Sequence, residues 1–118
     1  MAGLLAALAI GLISCNDSGL PVTLHGPTTI VRASDVVCTS EGSTIVVTGD
    51  LIGVATIPYD SQPSASIQDA SGLRIGSRSG PILAVHPGQP TSFSVSVVVN
   101  GSAASCFLGW GAALASPP

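Results

Sequence analysis

Apolar and polar residues alternate along much of this chain, and the alternation has a period of two. From Thr91 to Val99, Phe93, Val95 and Val97 share one face while Ser92, Ser94 and Ser96 share the other. Successive side chains of an extended strand point to opposite faces, so this pattern predicts a strand with one face buried. Ser64 to Gln68 alternates in the same way. Thr44 to Ile52 is rich in β-branched residues, which favour a pleated surface. Shorter β-prone runs cover Thr29–Arg32, Asp35–Thr39, Leu73–Gly76, Ile82–Val85 and Ala103–Trp110. Between them stand turn formers: Glu41-Gly42-Ser43, Asp69-Ala70-Ser71-Gly72, His86-Pro87-Gly88-Gln89-Pro90 and Asn100-Gly101. About seven to eight short strands at regular spacing predict an all-β antiparallel β-sandwich. Gly53, Pro58, Asp60 and Pro63 mark residues 53–63 as the longest loop. Tyr59 and Asp60 within it are the candidate binding loop, since exposed loop aromatics can anchor a partner. The other reading of Tyr59 is that it packs over the end of the sandwich. Trp110 is expected to close the core near Cys106.

The N-terminus breaks the pattern. Leu4 to Ser14 is continuously apolar, long enough for the hydrophobic region of a signal peptide and too short for an ordinary membrane span. It is expected to form a signal-like helix. Leu12-Ile13-Ser14-Cys15 resembles a bacterial lipobox. That resemblance implies cleavage before Cys15 and a lipid on its sulfur. Met1-Ala2-Gly3 lacks the positive charge that usually opens a signal peptide. The resulting division is a lipoprotein-type signal segment at 1–14, a tether at 15–27, the β-sandwich at 28–111 and a disordered tail at 112–118. Within the tether, Val22 and Leu24 are candidates for an added edge strand.

The three cysteines are Cys15, Cys38 and Cys106. An odd count in an exported protein leaves one thiol to explain. Lipidation of Cys15 does so and leaves Cys38 and Cys106 as a candidate disulfide, the alternative being two buried thiols. The bridge would close a loop of about 68 residues, worth roughly 4 kcal/mol in the chain-entropy model.

The stretch from Val46 to Val97 resembles the FxLYD domain of bacterial extracytoplasmic proteins. The matching residues are Asp69, loosely Ile67, the hairpin Gly72, the turn Pro87-Gly88-Gln89, Phe93, and the early strand Val47-Thr48-Gly49. Ala65 and Gln68 stand where that family has Phe and Tyr. The resemblance implies an Ig-like β-sandwich on a small lipoprotein or surface protein. It brings no catalytic residues with it.

Charge narrows the function classes. Only 8% of residues are charged and the net charge is −3. Arg32, Arg74 and Arg78 are the basic residues and there is no lysine. Nucleic-acid binding draws its affinity from clustered positive charge, so it is not expected. The absence of lysine also removes a P-loop and the S-x-x-K motif of penicillin-recognising enzymes. Gly76-Ser77-Arg78-Ser79-Gly80 has arginine where a hydrolase nucleophile elbow needs serine. Only His25 and His86 could serve as an imidazole base, and neither has a spaced partner for zinc. The six acids are Asp17, Asp35, Glu41, Asp50, Asp60 and Asp69, with no D-x-D run for calcium. No enzyme, metal or cofactor is therefore expected. The expectation is a non-enzymatic, exported protein anchored to the membrane through Cys15, with an envelope protein or polymer as partner. The alternative is a virion or surface-appendage structural protein that retains its apolar N-terminus.

Overall fold

A computed structural model describes residues 19–115. They form eleven strands in three sheets, with no helix among them. In chain order these are β1 (Gly19–Leu20), β2 (Val22–His25), β3 (Val31–Glu41), β4 (Thr44–Gly53), β5 (Tyr59–Ser61), β6 (Pro63–Gln68), β7 (Arg74–Ser79), β8 (Leu83–Val85), β9 (Pro90–Val98), β10 (Ser105–Trp110) and β11 (Ala113–Leu114). One four-stranded sheet runs β1-β3-β4-β9, a second β2-β10-β6-β7, and a small third β11-β5-β8. The signal-like helix and Cys15 lie outside the described residues.

The period-two pattern accounts for the core. On β4 and β9, Ile45 lies opposite Val97 and Val47 opposite Val95, so both strands present apolar residues on the same face. These four join Val31, Cys38 and Leu51 from the first sheet and Ala65, Ile67, Cys106, Leu108 and Trp110 from the second in one buried cluster. The serines of β9 face outward. Gly49 stands opposite Phe93. A β-carbon there would sit 3.1 Å from the Phe93 ring and 3.0 Å from Val36. The missing side chain thus makes room for an aromatic ring in the sheet interior. Val36 reaches this place because the β3–β4 register shifts between Ser34 and Val37. Asp35, in this bulge, takes the left-handed conformation (φ 55°), which Asp tolerates better than most residues.

Several expectations need correction. Residues 19–25, placed in a tether, are built into the sheets as β1 and β2. The added strand at Val22 and Leu24 is present, but it pairs with β10 in parallel, so the fold is not wholly antiparallel. The separate runs Thr29–Arg32 and Asp35–Thr39 belong largely to one bulged strand, β3, while β1, β5 and β11 are two or three residues long. Strands that short carry no readable period, which is why eleven exceed the expected number. Tyr59 and Asp60 lie on β5 instead of in an open loop. Ala113 and Leu114, placed in a disordered tail, pair with Asp60 and Tyr59.

Candidate functional site

Cys38 and Cys106 form a disulfide, with 6.6 Å between their α-carbons. Cys38 is on β3 and Cys106 on β10, so the bridge joins the two large sheets through the core, and both residues are buried. The N-terminal strands flank it. Leu20 lies opposite Cys38 in one sheet and Val22 opposite Cys106 in the other. The chain changes sheets at Pro21, whose carbonyl accepts the Cys106 N–H at 2.9 Å. Four residues further along β10, the Trp110 indole Nε1 donates to the Val31 carbonyl at 2.9 Å in a buried hydrogen bond. The indole leaves no room for a β-carbon at residue 26, which accounts for Gly26. This centre holds the sheets together and presents no reactive group.

Tyr59 and Asp60 are separated by strand geometry. Adjacent residues of a strand point to opposite faces. Tyr59 is half-buried and packs against the core. Asp60 instead lines an open groove of about 510 Å³, beside Ile82 and Leu114. Those two side chains are 66% and 64% exposed. Of the predicted pair, then, both are half-buried, Tyr59 packing against the core and Asp60 lining the groove. Ser61, the next residue, is buried, and its hydroxyl donates to the Gly111 carbonyl.

Asp69 is occupied locally. Its Oδ1 accepts from the Ser71 N–H (2.9 Å), the Ser71 hydroxyl (2.7 Å) and the Leu73 N–H (3.0 Å), which shapes the β6–β7 turn. The Ser71 hydroxyl, and then the Leu73 N–H, hold its carboxyl below the ordinary value of 3.8. Gly72 completes the turn at φ 89°, a conformation glycine adopts without steric cost. His86 is exposed just before its turn, and His25 lies on β2. Among the described residues no group of three or more His, Cys, Asp or Glu converges as a metal site would require.

The outer face of the second sheet was not anticipated. Two cross-strand rows run over it. Thr23, Phe107, Ser66 and Ser77 lie side by side on β2, β10, β6 and β7, and so do His25, Gly109, Ser64 and Ser79. The Ser64 and Ser79 hydroxyls are 2.9 Å apart and hydrogen-bonded. Gln68 lies opposite Arg74 at one end. Two shallow grooves, of about 370 and 360 Å³, cross this face and share Ser64, Ser66 and Arg74. The alternation Ser64-Ala65-Ser66-Ile67-Gln68 marked the polar side of β6. It could not show that β10 inserts between β2 and β6 and sets Phe107 among the serines.

No family model matches the chain, and no curated protein matches it. Among solved structures the chain is similar to a DUF1425 family member from Shewanella sp. pv-4. The TM-score is 0.53 at 20% identity, covering 73% of this chain and 81% of that one. At that identity the likeness is one of fold. A second similar structure is a beta-glucuronidase from glycoside hydrolase family 2, with a TM-score of 0.47 at 12% identity. The match covers 63% of this chain and 8% of the enzyme.

Proposed function

We propose that this chain is a non-enzymatic, exported, lipid-anchored binding module of the cell envelope, an Ig-like β-sandwich of FxLYD-like type. The buried Cys38–Cys106 bridge carries the proposal. Disulfides form and persist in oxidising, extracytoplasmic compartments. With two of the three cysteines paired, the third is Cys15, at the end of the lipobox-like Leu12-Ile13-Ser14-Cys15. The residues behind the FxLYD resemblance hold turn and core positions in keeping with it: Asp69 and Gly72 shape a hairpin turn, and Phe93 is buried. Only three residues separate Cys15 from Gly19, the start of β1, which makes four Cα–Cα steps. An extended chain covers at most about 3.6 Å per residue, so a lipid on Cys15 would hold the module within roughly 14 Å of the membrane. A module held so close suits an envelope polymer or protein as partner.

The test is the intact mass of the protein isolated from its native host. The expected species begins at Cys15 and carries a diacylglyceryl adduct. A full-length chain that retains Met1 to Ser14 and bears no lipid would overturn the proposal and favour a structural role in an assembly.

A further inference from the structure

Asn100-Gly101 reads in the sequence as the turn of a tight hairpin. In the structure it is not one. β9 and β10 lie in different sheets and are not paired with each other, so residues 99–104 carry the chain across from one sheet to the other. Backbone hydrogen bonds hold the two ends of this crossing. The Val99 N–H donates to the Ser43 carbonyl (2.9 Å), the Asn100 N–H to the Ile75 carbonyl (3.3 Å) and the Ala104 N–H to the Gln68 carbonyl (2.8 Å). Among the described residues no backbone carbonyl accepts the Gly101 N–H.

Asn100, Gly101 and Ser102 are all exposed. Gly101 has a φ of 142°, in the region that favours glycine. A β-carbon there would meet nothing nearer than the Ile75 side chain, at 3.7 Å. The Gly101 nitrogen is therefore unshielded and open to water, and the Asn100 side chain directly precedes it in the chain. In a paired hairpin, the ladder of hydrogen bonds would fix the backbone around such a nitrogen. Here the backbone is free to bring it to the asparagine Cγ.

We infer that Asn100 is a site of covalent modification by deamidation. The Gly101 nitrogen, giving up its proton, attacks Cγ of Asn100. The new N–Cγ bond closes a five-membered succinimide, the Cγ–Nδ2 bond breaks, and ammonia leaves. Water then opens the ring at one carbonyl or the other, giving isoaspartate or aspartate. One water is consumed for each ammonia released, and no enzyme or oxidant takes part. Either product adds a negative charge to a chain whose net charge is −3. Isoaspartate also adds a methylene to the main chain between residues 100 and 101. Gly101 to Ala103 absorb it, since the hydrogen bonds that fix the crossing are at Val99, Asn100 and Ala104. The protein thus acquires charge variants while it keeps its fold. The chain's other asparagine, Asn16, is followed by Asp17, whose side chain obstructs the same attack. None of this depends on a lipid at Cys15.

The experiment is incubation of the purified, oxidised full-length chain in warm, mildly alkaline buffer, with parallel samples at mildly acidic pH and in concentrated guanidinium chloride. Intact mass and peptide mapping locate each amide-to-acid conversion, and protein isoaspartyl methyltransferase counts the isoaspartate. Conversion at Asn100 is expected, giving both isoaspartate and aspartate. It should be faster at higher pH, because the attacking nitrogen must lose its proton. The folded chain should convert at a rate close to that of the unfolded one, because the crossing does not hold the Gly101 N–H. Asn100→Gln should lose the modification and Gly101→Ala should slow it; the melting temperature of each variant shows that it is folded. The modified protein should melt close to the unmodified one. An Asn100 that stays intact in the folded chain while the unfolded chain converts overturns the inference, as does conversion at Asn16 ahead of Asn100. Aspartate without isoaspartate would exclude the succinimide and overturn the route through Gly101.

Discussion

Replacing Cys38 and Cys106 together by alanine is the perturbation whose size the structure sets most directly. The two residues are 68 apart in sequence. In the chain-entropy model a loop of that length removes about 15 cal/mol/K from the unfolded ensemble, or roughly 4 kcal/mol at 25 °C. Domains of this size are stable by about 5–15 kcal/mol in all, so the bridge supplies a large share. The native side should change little in comparison, because both residues are already within the core and alanine leaves no polar group unpaired there. For a domain of about 100 residues, 1 kcal/mol corresponds to about 4–8 °C in melting temperature. The double variant should therefore melt about 15–30 °C below the oxidised protein. Its urea dependence should be steeper, because an uncrosslinked unfolded chain exposes more surface. Urea and thermal unfolding of the two proteins, followed by circular dichroism, measure both quantities. A loss below about 1 kcal/mol with an unchanged urea slope would refute the reasoning. It would mean that the unfolded chain is compact enough for the bridge to cost it little entropy.

Two further predictions concern the Trp110 centre and the β6–β7 turn. Gly26→Ala drives a methyl group into the Trp110 indole and should cost about 1–3 kcal/mol, with tryptophan emission shifted to the red; unchanged stability and emission would show that the contact yields freely. Asp69 has a folded-state pKa below its unfolded value, so its contribution to stability is full above the unfolded pKa and is lost as pH falls through the folded one. An NMR titration of the Asp69 carboxyl should have its midpoint below 3.8, and Asp69→Asn should flatten the acid limb of the stability profile below about pH 4. A midpoint at or above 3.8 would contradict the hydrogen bonding described for that turn.

The sequence by itself determined which residues face inward. Phe93, Val95 and Val97 are buried on β9 and Ala65 and Ile67 on β6, as their alternation required, because side-chain direction in a strand follows from local backbone geometry alone. The turns at Asp69–Gly72 and Pro87–Gly88 were legible for the same reason, since a left-handed glycine or an Asp side chain acts within a few residues. The cysteine pair followed from counting thiols. Tertiary structure decided the rest. Nothing local in Val22–His25 states that it pairs in parallel with β10, or that the chain changes sheets at Pro21 beside the disulfide. Tyr59 and Asp60 were legible as a pair of interest, but their assignment to opposite faces depended on β5 finding partners in β8 and β11. Phe107 and Arg74 are more than thirty residues apart in sequence and line the same groove because β10, β6 and β7 lie side by side. Strand order is chosen by the packing of distant segments against a shared core. A period of two records which face of a strand is apolar and carries no information about its neighbour.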